Sequence, residues 1–236
     1  MSNPGRPQRP RLLICDTDVV LQLIIADAIP CLFALKRQYA IQPMVVDRVQ
    51  HELDRHAETK FRFYGGKIRK ALRTILEPLA RSSLARVSFE ETAIPALLNQ
   101  IELEAAKLSM VTDLGEAYSH AAANALNGLI ASNDSRAISD LRNRGYATVV
   151  PVLRACDIIV FGLQVGAFAI ESCEQARKQW IEREEYLPAC FQNKSFAGGL
   201  PAFYQRLADS TKPLRGLADA SSPNDVRVLI DPIVVP

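Results

Sequence analysis

The chain has 236 residues, 48% hydrophobic and 23% charged, with a formal net charge of +2. This is the composition of a soluble globular protein with one core and some additions, and it excludes a disordered or low-complexity chain. The net charge is too small to argue for a nucleic-acid partner by itself, so any such case rests on how charge is distributed.

Residues 1–10 are Pro- and Arg-rich without an apolar run, which reads as a disordered arm and not as a signal peptide. Residues 11–15 form a short buried strand by length and composition, and Asp16 and Asp18 stand at its end. Residues 19–35 are mostly apolar and helical in length, with Pro30 as a break or a new helix start. A second strand is expected over 41–46, then a helix over 47–58 with Val49 and Leu53 on one face. Gly65-Gly66 breaks the chain, and 67–79 resumes as a helix with Ile68, Leu72 and Ile75 aligned. Residues 95–108 are another helix. Asp113-Leu-Gly-Glu116 fits a capping box opening an Ala-rich helix that Asn127-Gly128 ends. A third strand follows over 129–131, a helix over 135–144, and a fourth strand over 147–150.

The run 158–170 is the most apolar stretch, too short to span a bilayer and interrupted by Gln164, so it reads as a buried helix. A helix around Trp180 covers 171–185. From Phe191 onward, Gly198-Gly199 and several prolines predict an irregular tail, with apolar segments at 226–230 and 233–235 that add an edge strand or clamp onto the domain. Five cysteines, with no Cys-x-x-Cys, read as reduced buried thiols of a cytoplasmic protein.

Strands alternating with helices predict an α/β protein, a three-layer α/β/α fold around a central, mostly parallel sheet. The organisation expected is an arm (1–10), a domain over 11–155, a helical extension over 156–190 packed on it, and an irregular tail over 191–236. Sites in such sheets lie beyond the carboxyl ends of strands. Asp16, Asp18 and Asp134 occupy that position, Glu52 lies about two helical turns past the second strand, and Glu116 opens a helix. Carboxylates gathered there repel unless a cation meets them, and a divalent metal is the common answer. Each acid also has a structural reading: Asp16, Asp18 and Asp134 as helix caps, Glu116 as the capping-box residue, Glu52 as a solvated helix residue.

The spacing resembles the PIN-domain nuclease family. Ile14-Cys-Asp16-Thr-Asp18-Val-Val-Leu21 looks like its opening motif, and Val46-Asp-Arg-Val-Gln-His-Glu52-Leu53 like its second. Leu114-Gly-Glu116-Ala117 looks like the third, and Leu129-Ile-Ala-Ser-Asn133-Asp134-Ser-Arg136-Ala137 like the fourth. The four stand in order over residues 11–150. The resemblance implies a ribonuclease site dependent on Mg²⁺ or Mn²⁺, with Asp16, Glu52, Glu116 and Asp134 catalytic. The metal would be held by Asp16, Glu116 and Asp134, with Asp18 as a further ligand or helper. Asn133 stands where some members carry another Asp, and Asp140 is a weaker candidate. A toxin, defence or RNA-decay role is implied, with RNA as the partner and no membrane; an inhibitory protein and a homodimer are compatible with it.

Asp16-Thr-Asp18-Val-Val20 also fits the nucleophile motif of haloacid-dehalogenase-like phosphatases, with Asp16 taking the phosphoryl group. That reading leaves Glu52 and Glu116 without a task. A non-catalytic PIN-like binding module is the third reading. Between residues 60 and 86, Lys67, Arg69, Lys70 and Arg73 lie among eight cations against one acid, Glu77, with Phe61, Phe63 and Tyr64 interleaved. With Arg136 they are the candidate RNA contacts, cations for phosphates and aromatics for bases. His51, His56 and His120 show no metal-ligand spacing and read as surface or packing residues.

Overall fold

The computed structural model describes residues 11–87, 89–134 and 152–208. The arm 1–10, the helix expected over 135–144 with Arg136 and Asp140, the strand expected over 147–150, and the chain beyond 208 lie outside the described residues.

Five strands form one all-parallel sheet: β1 (Arg11–Cys15), β2 (Ile41–Val45), β3 (Glu77–Pro78), β4 (Leu129–Ala131) and β5 (Val152–Leu153), in the order β3-β2-β1-β4-β5. The central strand β1 places Leu13 opposite Pro43 on one side and Leu129 on the other. Leu12 to Cys15 are all buried, as expected of a strand covered on both faces. Pro43 inside β2 is tolerated because β3 begins to pair only at Met44, leaving that edge of β2 locally unpartnered.

Helices α1 (Thr17–Ile25) and α2 (Ile29–Tyr39) join β1 to β2; α3 (Asp47–Glu58) and α4 (Gly65–Thr74) join β2 to β3. Then α5 (Arg81–Arg86), α6 (Ile94–Leu108) and α7 (Leu114–Ala125) lead to β4. After β5 come α8 (Ala155–Gln164), α9 (Ile170–Glu182), α10 (Ala189–Gln192) and α11 (Phe196–Ala208). The result is the expected three-layer α/β/α arrangement. No single helix among the described residues is long and apolar enough to cross a membrane; the pair α1–α2, apolar by composition, is bent by 111° and belongs to the core.

Two expectations are corrected. The helix expected over 67–79 stops at Thr74, because Pro78 cannot continue it, and Glu77-Pro78 instead pairs with Met44 and Val45 as β3. Ile75, Leu76 and Leu79 are all buried, so their spacing imitated a longer helix. Val152-Leu153 adds the strand β5; α8 begins two residues later and lies almost wholly buried in the cluster that holds β1. The tail expected to be irregular from 191 is helical through 208. Phe191 stacks on Phe196 at 4.4 Å and meets Phe203 at 5.3 Å, which anchors α10 and α11. Gly199 lies there because a Cβ would come within 2.6 Å of the Cys190 carbonyl oxygen. Arg177 on α9 donates to the Phe191 carbonyl at 3.1 Å and pairs with Glu174, which accepts from the Phe196 N–H.

The contact of α8 with α2 is equally tight. A Cβ at Gly162 would lie 2.3 Å from Cys31 Sγ. Gly162→Ala is therefore expected to destabilise the protein by roughly 1–3 kcal/mol through overpacking. Cys31→Ala added to it should recover part of the loss, read as urea midpoints in a double-mutant cycle; strict additivity would show that the two residues do not touch.

Candidate metal and active site

The chain winds outward from β1 to β2 and β3, then returns to lay β4 on the other side of β1. The crevice beyond the carboxyl ends of β1 and β4 is thus the reversal point where open α/β sheets bind ligands. The Asp16 N–H donates to the Ala131 carbonyl at 2.9 Å and locks the two strand ends together. Beyond them lies a cavity of about 290 Å³. Asp16, Glu52, Glu116 and Asp134, the four acids singled out from the sequence, all line it, together with Asp18. Asp113 and Glu185 bring the carboxylates to seven, and Thr17, Lys60 and His56 complete the polar lining.

Local structure holds each acid in its own way. Asp16 is 6% exposed and occupies the N-cap position of α1, yet among the described residues its side chain makes no capping bond. The capping reading therefore does not account for it. Asp18 accepts the Val19 N–H at 2.6 Å and the Asn133 N–H at 2.9 Å, so it ties the start of α1 to the end of β4. Glu52 Oε2 accepts the Thr17 hydroxyl at 2.7 Å, while Oε1 lies 3.7 Å from Arg55 and 3.9 Å from His56. Glu52 lies against the start of α7, where a Cβ at Gly115 would make ordinary contact with Oε2 at 3.5 Å. Glu116 shows half of the expected capping box: its N–H donates to Asp113 Oδ1 at 2.9 Å, but its own carboxylate accepts the Thr112 hydroxyl instead. That turns the Glu116 side chain toward the cavity. Asp134 is exposed at the rim, its N–H donating to Ser132 Oγ at 3.2 Å.

Crowding shows in the acidities. Burial, then the charges of Asp18 and Glu116, raise the Asp16 carboxyl well above the usual carboxylate range. Burial raises Asp18 to about 6 against the two backbone N–H groups and the Arg154 charge that lower it. Burial raises Glu116 to about 7, opposed by the Thr112 hydroxyl and assisted by Asp134, Asp113 and Asp18. Burial also raises Glu185 and lowers His56.

Several partners of these acids escaped the sequence reading. Arg154 is buried, donates to the Ser132 carbonyl at 3.0 Å, and lies 5.1 Å over the Tyr186 ring. It follows β5 as Asp16 follows β1, and a strand of two residues leaves no sequence pattern that would point to it. Glu185 comes from the turn after α9, next to Glu184 at φ 56°, and nothing in the sequence points to it. His56, read as a surface or packing residue, lines the acid cavity. Asn133 is not a spare ligand: its Oδ1 accepts the Ala155 N–H at 3.1 Å and its amide donates to Gln22 Oε1. Of the basic candidates, Arg69, Lys70 and Arg73 are exposed on α4, Lys67 pairs with Asp27, and Arg136 lies outside the described residues. Phe61 is buried at the cavity wall, whereas Phe63 is 92% exposed.

All seven cavity acids offer hard oxygen donors, the ligand type of Mg²⁺, Mn²⁺ and Ca²⁺. Among the described residues no three His, Cys, Asp or Glu side chains form an ion-holding cluster as they stand. The acids converge on one cavity, where hydroxyl and N–H donors pin Asp18, Glu52, Asp113 and Glu116.

Raised carboxyl groups set the direction of the pH dependence. The folded state binds protons more tightly than the unfolded chain, whose Asp and Glu titrate near about 4. Stability is then greatest below about pH 4 as far as these groups are concerned, and it falls as pH rises toward the value of about 7 reached by Glu116. In chelator, the urea midpoint is expected to be lower at pH 8 than at pH 5. Glu116→Gln should flatten that difference; an unchanged slope would show that Glu116 does not titrate in this window.

No family model, curated protein or solved structure matches this chain, so the functional reading rests on its own residues.

Proposed function

We propose that the protein is a metal-dependent endoribonuclease of the PIN-like kind. The observation that carries the reading is the convergence of Asp16, Glu52, Glu116 and Asp134, from four separate elements, on one cavity at the reversal point of a parallel sheet. Their order in the chain is that of the four motifs. Asp16, Glu116 and Asp134, with Asp18, would hold Mg²⁺ or Mn²⁺. Such an ion supplies an activated water at neutral pH and stabilises the attacking and leaving oxygens of a phosphodiester. Glu52, fixed through Oε2 by Thr17, keeps Oε1 directed toward Arg55 and His56 and would accept the proton of the attacking water there. Arg154 offsets part of the charge behind Asp18 and Asp134.

A polyanionic substrate also needs a positive approach. Arg62, Arg69, Lys70 and Arg73 are exposed along the segment that leaves the cavity at Lys60 and Phe61, and Phe63 stands out beside them. Cations with an exposed ring suit single-stranded RNA. The phosphatase reading would employ Asp16 and Asp18 but leave Glu52 and Glu116 idle in the same cavity, which favours the nuclease. A cytoplasmic location agrees with the reduced state of the five cysteines. A toxin or RNA-decay role, restrained by an inhibitory protein, fits the same chemistry.

Asp16→Asn and Asp134→Asn are each expected to lower metal-dependent RNA cleavage by about a hundredfold or more. Asp16→Asn should at the same time keep or raise the melting temperature in chelator, because it removes a repelling charge. Cleavage unaffected by both changes would overturn the metal-site reading, and activity on p-nitrophenyl phosphate with none on RNA would favour the phosphatase.

Lys67→Glu, Arg69→Glu and Lys70→Glu together are expected to weaken RNA binding and to reduce the slope of log affinity against log salt by about two to three. Unchanged affinity and slope would return α4 to an ordinary solvated face.

A further inference from the structure

A second cavity, of about 590 Å³, opens at the same edge of the sheet. Where the acid cavity lies beyond β1 and β4, this one lies beyond β2 and β3, between Val46-Asp47-Arg48 and Leu79-Ala80-Arg81. The Leu79 N–H donates to the Val45 carbonyl at 2.8 Å and holds its floor to the sheet. Two helices line both cavities. From α3, Arg48 and His51 enter the second cavity and Glu52 the first; Arg48 and Glu52 are one helical turn, about 5 Å, apart. From α7, Tyr118 enters the second and Glu116 the first.

The lining is mixed in a particular way. Leu79, Leu98 and Ile101 provide apolar surface. The Tyr118 hydroxyl donates to Glu102 Oε2, which fixes the ring, and the Arg48 guanidinium lies 5.9 Å over it. Arg48, Arg81 and His51 are exposed at the mouth. A flat apolar and aromatic floor takes a base, guanidinium groups take a phosphate, and a carboxylate such as Glu102 accepts from an exocyclic amine. Size separates the two cavities further. Small-molecule sites span about 300–1,000 Å³; the second cavity, at about 590 Å³, lies within that range and the first, at about 290 Å³, at its lower edge. The acid cavity suits a reacting phosphate and its ions; a whole nucleotide needs the larger space.

We infer that the second cavity is a nucleotide subsite: it holds one unpaired nucleotide of an RNA strand, base on the Leu79–Ile101–Tyr118 floor and phosphate between Arg48 and Arg81, adjacent to the phosphate presented to the acids. This rests on the nuclease reading and adds to it a requirement for single-stranded substrate. A base held in a duplex cannot reach the floor.

The test uses the full chain with Arg48→Gln and Arg81→Gln, both exposed positions outside the acid cavity. Affinity for a fluorescein-labelled single-stranded RNA of about ten nucleotides is measured in chelator, and KM and kcat in Mn²⁺. Affinity is expected to fall roughly tenfold in the double variant, with a similar rise in KM and little change in kcat. Arg81→Lys should recover part of the affinity, and a fully paired RNA of the same sequence should be cut poorly. Metal-dependent cleavage with affinity and KM unmoved in the double variant, or equal cleavage of paired and unpaired RNA, overturns the subsite alone. No cleavage by the unaltered protein, with affinity still dependent on Arg48 and Arg81, overturns the nuclease reading and leaves the subsite standing. No affinity for single-stranded RNA in the unaltered protein overturns the subsite.

Discussion

Seven carboxylates face one small cavity at the end of a sheet buried on both sides, and much of the surrounding structure answers to their mutual repulsion. Low dielectric sharpens every like-charge contact there. Free side chains would relieve the strain by swinging outward. Here they are pinned: Glu52 by the Thr17 hydroxyl, Glu116 by that of Thr112, Asp18 by two backbone N–H groups. The apolar cluster running from Leu12 to Phe203 supplies the stability against which this crowding is held. Stability given up at a site in this way is characteristic of positions that serve something other than folding.

Gln22 and Asn133 show how that site is tied to the rest of the chain. Gln22 is buried in α1, accepts from the Asn133 amide, and donates to the Tyr186 carbonyl at 2.8 Å. Its own carbonyl accepts the Trp180 indole N–H at 3.1 Å. Asn133 in turn accepts the Ala155 N–H at the start of α8. A carboxylate at 133 would keep the acceptor but lose the donor that meets Gln22, which is why an amide stands at a strand end otherwise rich in acids. The segments after β5 are thus part of the site's frame: Glu185 walls the cavity, and Arg154 lies over the Tyr186 ring.

Where burial and chemistry coincided, the sequence was legible. β1, β2 and β4 are mostly apolar runs, with Asp16 directly after β1 and Asp134 three residues past β4, and α3 and α7 carry the periodicities that place Glu52 and Glu116. Two-residue strands carry no such pattern, so Glu77-Pro78 and Val152-Leu153 were lost, and Arg154 with the latter. Gly198-Gly199 and Pro201 argued against a helix that the packing of Phe191, Phe196 and Phe203 nevertheless imposes. Cavity membership of His56, Glu185 and Lys60 depends on how distant segments fold together, which spacing along the chain does not encode.

In the proposed nuclease, acidic chemistry and a polyanionic partner would make opposite demands, met on different elements. The carboxylates gather beyond β1 and β4, while exposed cations run along α4 and the turn before it. Separation alone would leave that turn loosely held. Instead Tyr64 is flanked by Lys67 at 5.8 Å and Arg183 at 5.3 Å, and its hydroxyl accepts from Arg183 at 3.2 Å. Arg183 is the C-cap of α9 and Glu185 lies two residues on, so one short segment braces the basic approach and closes the acidic wall. In the proposed nuclease the spacing between the two is therefore set by α9, which Trp180 anchors to α1 next to the strand that bears Asp16.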